Sequence, residues 1–234
     1  MTDYKNLKLI ASSSPHIRSD VSTRSIMLDV VIALIPAMIA SMYFFGLRAL
    51  MLLTVSVVFS VLFEYGYRKL LHKDQTIGDC SAVVTGILLA LVCPATLPYW
   101  VVVIGDFFAI VVVKQLFGGI GCNFLNPALA GRAFLFSYPV LMTTWPRVGT
   151  ALHLFSSNAD AVTSATPMAS LHQGLLPEDS LLSCFAGNVG GSMGETSAVL
   201  QLLGFAYLLV RRIVSPRIPL AYVGTVAVLA LLFP

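Results

Sequence analysis

Apolar and polar positions along this chain fall into long blocks. Seven apolar blocks can be marked: Ile26–Gly46, Leu50–Tyr67, Cys80–Leu97, Trp100–Leu116, Ala128–Met142, Thr196–Val210 and Ile218–Phe233. Most approach the roughly 20 residues that a helix needs to cross the hydrocarbon core. Lipid offers no partner to an unpaired backbone amide, so such blocks are helices if they span. The pattern predicts an all-α polytopic membrane protein with about seven transmembrane helices. The first block contains Pro36, the second ends in Arg68, Lys69 and Lys73, and the third closes on Pro94, Pro98 and the interfacial pair Tyr99–Trp100. Thr143–Gly194 is the one long hydrophilic interval. The organisation that follows is a segment 1–25, spans 1–5 over 26–142, a loop over 143–195 and spans 6–7 over 196–234.

Composition supports this reading. The chain is 57% hydrophobic and only 11% charged, with a mean hydropathy of +0.87. A soluble domain carries about a quarter charged residues. The first 25 residues are polar, and the apolar block after them is longer than a signal-peptide core, so no cleavable signal is expected. If the N-terminus is cytoplasmic, twelve of the fourteen Lys and Arg lie at or near the inside, and only Arg48 and Arg147 fall outside. By the positive-inside rule the 143–195 loop is then extracytoplasmic. The cysteines Cys80, Cys93, Cys122 and Cys184 are scattered without a C-x-x-C. That argues against a cluster or zinc site within this chain alone and leaves a cluster shared between subunits open. Nothing points to a nucleic-acid partner.

Four constellations bear chemistry, each with a plainer alternative. Asp160-Ala-Val-Thr163-Ser164-Ala165-Thr166-Pro167 combines a hydroxyl nucleophile, small flanking residues and an upstream acid. It also reads as an ordinary turn-forming loop. Gly190, Gly191 and Ser192 precede Glu195 and span 6. They suit either a phosphate resting on backbone amides or a capping box with Ser192 as N-cap and Glu195 three residues on. The stretch has no P-loop lysine, so nucleotide hydrolysis is not supported. Gly118–Pro127, with Asn123 and Asn126, is either a re-entrant element offering carbonyls to a cation or a second flavin, or a tight cytoplasmic turn. Asp106 lies well inside span 4, where a carboxylate is an ion-pathway candidate or else a structural hydrogen-bonding group. Asp29 and Glu64 sit near cytoplasmic ends, where snorkelling or pairing with Arg24 and Arg68 would suffice. His153 and His172 have no metal-like spacing and are expected at the surface; no metal site is expected.

Asp-x-x-Thr-Ser-Ala-Thr resembles the flavinylation sequence Asp-x-x-Ser/Thr-Gly/Ser-Ala-Thr, whose last threonine takes FMN through a phosphoester bond made by a flavin transferase. Further matches are Ser13-Ser-Pro-His-Ile-Arg18, Asp79-Cys-Ser-Ala-Val-Val-Thr-Gly-Ile-Leu-Leu-Ala90, Gly118-Gly-Ile-Gly-Cys-Asn-Phe-Leu-Asn-Pro-Ala128 and Gly190-Gly-Ser-Met-Gly-Glu-Thr-Ser197. Together they resemble the D subunit of the Rnf-type ion-translocating electron-transport complex, which is similar to the B subunit of the sodium-translocating NADH:quinone reductase. The compact N-terminus with Ser-Pro-His favours the former. The resemblance implies covalent FMN on Thr166, with Ser164 standing where many members have glycine. It also implies electron flow between ferredoxin and NAD with coupled sodium or proton movement, neighbouring subunits as partners, and a bacterial inner-membrane location. A noncovalent flavin is a further implied cofactor. The chain itself carries no Rossmann fingerprint and is not expected to bind NAD. Members continue through about ten spans in two related halves, so the end at Pro234 is read as a short form or a truncation. Two competing functions remain: a quinone-reductase subunit and a non-redox channel or carrier.

Overall fold

Ser22 opens the first helix by accepting the backbone N–H of Ser25 at 3.2 Å, which satisfies one of the donors a helix start leaves unpaired. The structure, a computed structural model, describes residues 21–146, 154, 170, 171, 174 and 180–232. Those residues are all-helical in their regular structure. Among the described residues, helix α1 (Thr23–Phe45) and helix α2 (Leu47–Leu70) are the two that are long and apolar enough to cross a bilayer. Gly46 alone joins them, at φ +69°. Only a residue without Cβ takes that conformation freely, so the two helices fold back in a single-residue turn.

Helix α3 (Ser81–Leu91) and helix α4 (Tyr99–Phe107) pack on α2. At the α2–α3 crossing a Cβ on Gly86 would come within 2.9 Å of Val57 Cα, so glycine lets the backbones close. Predicted span 3, Cys80–Leu97, is helical only as far as Leu91. Eleven residues rise about 16 Å, half of what a bilayer core requires. Pro94 supplies no N–H and steers its predecessor away from helical geometry, which ends the helix early. Residues 92–98 continue as irregular backbone. Helix α4 runs without interruption into a π-helical segment, Phe108–Gln115, a geometry often found at functional sites.

Predicted span 5 is likewise divided. Helix α5 (Pro127–Leu135) is capped by Asn126, whose side chain accepts from Ala128 and Leu129 N–H, and a short helix α6 (Pro139–Met142) follows. Helix α7 (Leu181–Ala186) falls within the predicted loop. Helix α8 (Ala198–Val210) lies against α1 so closely that a Cβ on Gly204 would stand 2.3 Å from the Ala33 carbonyl oxygen. Helix α9 (Arg217–Leu232) has no buried residue, and Leu231 is 83% exposed.

Two expected pairings are corrected. Asp29 pairs with Arg211 at 2.9 Å and accepts from Tyr207, rather than meeting Arg24. Glu64 pairs with Lys114 at 2.6 Å, while Arg68 instead donates to Gln115 and to the Asp74 carbonyl. Both reversals have one cause. Helices that meet in space offered acceptors or cations that sequence neighbours could not match.

Candidate functional site

The glycine-rich stretch before α8 is a buried turn docked on the end of α3. Gly194 N–H donates to the Leu91 carbonyl at 2.7 Å and Met193 N–H to the Cys93 carbonyl at 3.1 Å. Leu91 is the last residue of α3, whose carbonyl has no partner within its own helix. A Cβ on Gly194 would meet Leu91 Cβ at 2.7 Å, so the close approach depends on glycine. Gln201 then holds the Gly194 carbonyl from α8 at 2.7 Å.

The capping box expected at Ser192 is not formed. Helix α8 begins at Ala198 with Ser197 as its N-cap. The Ser192 hydroxyl donates to the Glu195 carboxylate, which pairs with Arg132 of α5 at 3.1 Å. Gly190, Gly191 and Ser192 therefore lie in the turn, ahead of the helix N-terminus. Beside the turn, a cavity of about 310 Å³ opens between α1, α3 and α8, lined by Ala37, Leu91, Gly194, Gln201 and Phe205. That is near the small end of ligand pockets. Thr196 Oγ1, just past the turn, is buried without a hydrogen-bond partner.

Asp106 forms a second centre. It is fully buried, and its Oδ1 lies 2.8 Å from Ser56 Oγ and 2.9 Å from Ser60 Oγ. Ser56 Oγ also lies 2.8 Å from the Gly86 carbonyl. Asp106 Oδ2 has no hydrogen-bond partner. The midpoint of α2 falls between residues 58 and 59, between the two serines. Gly86 lies five residues before Leu91, about 7.5 Å of helix rise from the docked turn.

Beyond Ser60 the same face of α2 carries Glu64. Its carboxylate accepts from Lys114 Nζ and from Thr76 Oγ1, both at 2.6 Å. Lys114 also donates to Ser81 Oγ, which in turn donates to Asp79. Glu64, Lys114 and Gln115 are all buried.

At the Gly46 end, Arg48 is buried and donates to the carbonyls of Ala95, Thr96 and Leu97 at 2.9–3.3 Å. Its guanidinium lies over the Tyr99 ring. This single side chain satisfies the irregular backbone that follows α3, where a charge-assisted donor is worth most. Arg48 and Tyr99 both donate to the Leu154 carbonyl, and Thr96 donates to the Thr144 carbonyl, so the start of the long loop is tied to the same turn. In the structure the Arg48 side chain is buried against this backbone.

Asp160, Thr163, Ser164, Ala165, Thr166, Pro167, His153 and His172 lie outside the described residues. Asn126 serves as the α5 cap, and Asn123 Oδ1 is buried without a partner, in a mostly exposed turn. The structure thus gathers the Gly190–Ser192 turn and Asp106 around α3, and leaves the two asparagines in a separate turn. Sequence reasoning missed Ser56, Ser60, Gly86 and Lys114. The spacing of Ser56, Ser60 and Glu64, four residues apart within an apolar helix, was the available signal.

The family model described as "NQR2, RnfD, RnfE family" matches residues 10–234. The chain is 48% identical over 231 residues to the D subunit of the Na(+)-translocating ferredoxin:NAD(+) oxidoreductase complex of Acetobacterium woodii, covering 97% of this chain and 70% of that one. It is 40% identical to the D subunit of the proton-translocating ferredoxin:NAD(+) oxidoreductase complex of Clostridium ljungdahlii, over 98% and 70% of the two chains. It is also 40% identical to the D subunit of the ion-translocating oxidoreductase complex of Rhodobacter capsulatus, over 93% and 68%. On a match that runs through both centres described above, the chain belongs to the NQR2, RnfD, RnfE family.

Proposed function

We propose that this chain is the D subunit of an ion-translocating electron-transport complex, carrying FMN esterified to Thr166 and passing electrons between ferredoxin and NAD with coupled movement of sodium ions or protons. The observation that carries the reading is the Asp160–Thr166 sequence, in a chain whose relatives are named as D subunits of such complexes. Bound FMN would supply the electron chemistry, and the protein its orientation. Arg48, Tyr99 and Thr96 support this by holding the root of the loop at Leu154 and Thr144. The apolar cavity of about 310 Å³ beside Gly194, lined in part by Gln201 and Glu195, is within the size range of small-ligand pockets.

The membrane reading has about seven spans, a cytoplasmic N-terminus and the loop outside, in a bacterial inner membrane. Charge placement supports it. Arg211 at Asp29 and Lys114 at Glu64 both lie at the end of the α1–α2 hairpin opposite Gly46. Two irregular stretches, 92–98 and 188–197, meet where Gly194 docks on Leu91. Non-helical backbone at membrane depth persists only against protein or a watery cavity.

The test is direct. Coexpressed with its flavin transferase, the chain runs as a fluorescent band on a denaturing gel, and Thr166→Val runs dark at equal protein. A dark wild-type band of full mass would sink the covalent-flavin reading, and fluorescence surviving Thr166→Val would move the attachment elsewhere.

A further inference from the structure

Four oxygens meet at the middle of α2: Asp106 Oδ1, Ser56 Oγ, Ser60 Oγ and the Gly86 carbonyl. They make three contacts of 2.8–2.9 Å. Each hydroxyl carries one proton, whereas a carboxylate or a carbonyl carries none. Ser56 and Ser60 therefore bring two protons to three hydrogen bonds. The third bond forms when Asp106 is itself a carboxylic acid.

We propose that Asp106 is a proton-exchange site, holding a proton in this arrangement and releasing it by rotation of the Ser56 hydroxyl. This deepens the ion-translocating reading and rests on it. In the loaded state Asp106 O–H donates to Ser56 Oγ, Ser56 donates to the Gly86 carbonyl, and Ser60 donates to Asp106. On release the Asp106 O–H bond breaks, the proton leaves, and nothing is oxidised or reduced. Ser56 then turns its own proton from the Gly86 carbonyl to the new carboxylate, which keeps both hydroxyls as donors. The same four oxygens thus serve both charge states, as an exchange site requires.

One other titratable group, the buried thiol of Cys93 just past α3, lies close enough to interact electrostatically with Asp106. Helix α3 contributes no ionisable side chain, and Arg132 of α5 is turned to Glu195. The next ionisable groups along the seam are Glu64, one turn beyond Ser60, and Lys114, two turns beyond Asp106 on its own helix; they neutralise each other. None of the three ion pairs among the described residues includes Asp106. Its Oδ2 is buried and unpartnered, an open position that a structural carboxylate would leave unsatisfied. A sodium ion among these oxygens would break the hydrogen-bonded contacts, so this arrangement is that of a site holding a proton and not sodium.

The test uses the assembled complex, purified from cells expressing all its subunits, as wild type, Asp106→Asn and Ser60→Ala. Infrared spectroscopy at neutral pH should show a protonated-carboxyl C=O band that shifts in D₂O, is missing from Asp106→Asn, and moves to higher frequency in Ser60→Ala. In vesicles, Asp106→Asn should lose charge movement per NADH formed. Should Asp106→Asn not assemble, the shift in Ser60→Ala still decides. No band lost in Asp106→Asn, no shift in Ser60→Ala, or removal of the band by NaCl in place of KCl at one pH would each overturn the proposal. Flavin fluorescence of the same preparations reports separately on the proposed function. A dark gel band with the infrared band intact would remove the flavin and leave Asp106 standing.

Discussion

Lys114 Nζ lies 2.6 Å from Glu64 Oε2, with the two side chains only 2% and 0% exposed. Thr76 and Ser81 supply the further hydrogen bonds that a desolvated pair needs. Removing one partner strands a buried charge, whereas replacing both with apolar residues of similar volume need not destabilise. Lys114→Met and Glu64→Leu are each expected to cost about 3–5 kcal/mol, and the double variant much less than their sum. Melting of the detergent-solubilised complex measures this. Additive losses would show that the pair is not coupled.

The approach of α8 to α1 at Gly204 leaves no room for a methyl group. Its Cβ would lie 2.3 Å from a backbone oxygen, which cannot swing aside as a side chain can. Gly204→Ala is expected to lower stability by about 1–3 kcal/mol, as overpacking does. Gly224, in α9, has nothing within 4 Å. Gly224→Ala should be neutral or mildly stabilising, since alanine is favoured over glycine in a helix by about 1 kcal/mol. Comparing the two Tm values checks both.

At Gly86 an added Cβ would meet Ser56 O and Ser60 Oγ, both at 3.0 Å. Gly86→Ala should therefore push α3 away from the two serines and lengthen the Ser56–Gly86 carbonyl contact. The expected outcome is a loss of about 1–3 kcal/mol in stability together with a changed Asp106 carboxyl band. A stability loss with the band unchanged would mean that the cluster tolerates the wedge.

Arg48 is the common donor to three carbonyls after α3 and one in the long loop. Arg48→Gln leaves several of these without a donor, each at a cost of roughly 1–3 kcal/mol if it stays dry. Lysine keeps the charge but not the planar fork, so Arg48→Lys should recover only part of the loss. Limited proteolysis should cut the 143–195 loop faster in both variants, with Arg48→Gln the faster. Equal cleavage in wild type and Arg48→Gln would show that the loop root is held by Tyr99 and Thr96 instead.

Much of the architecture is legible in the sequence. The first two apolar blocks correspond to α1 and α2 with ends shifted by a few residues, because a long apolar run and its flanking polar residues are local properties. The third, fifth and sixth blocks are longer than the helices they contain. Pro94 stops α3 at Leu91, and Ser137–Tyr138 splits the segment after α5. The turn before α8 mimics a capping box because Ser192 and Glu195 have the right spacing, yet the chain docks on α3 before it coils.

Sequence by itself determined that the chain is a run of apolar helices, where the first of them start, and which family the chain belongs to. These rest on composition, on the length of apolar runs between polar residues, and on motifs that survive as strings. Only the tertiary structure decided which polar groups meet. Asp106 finds Ser56 and Ser60, Glu64 finds Lys114, and Arg48 turns inward to the carbonyls of residues 95–97. Each of those meetings depends on how far one helix is rotated and how deep it sits against another. That is set by the whole packed interface, at places such as Gly86 and Gly204 where backbones touch, and no stretch of sequence carries it alone.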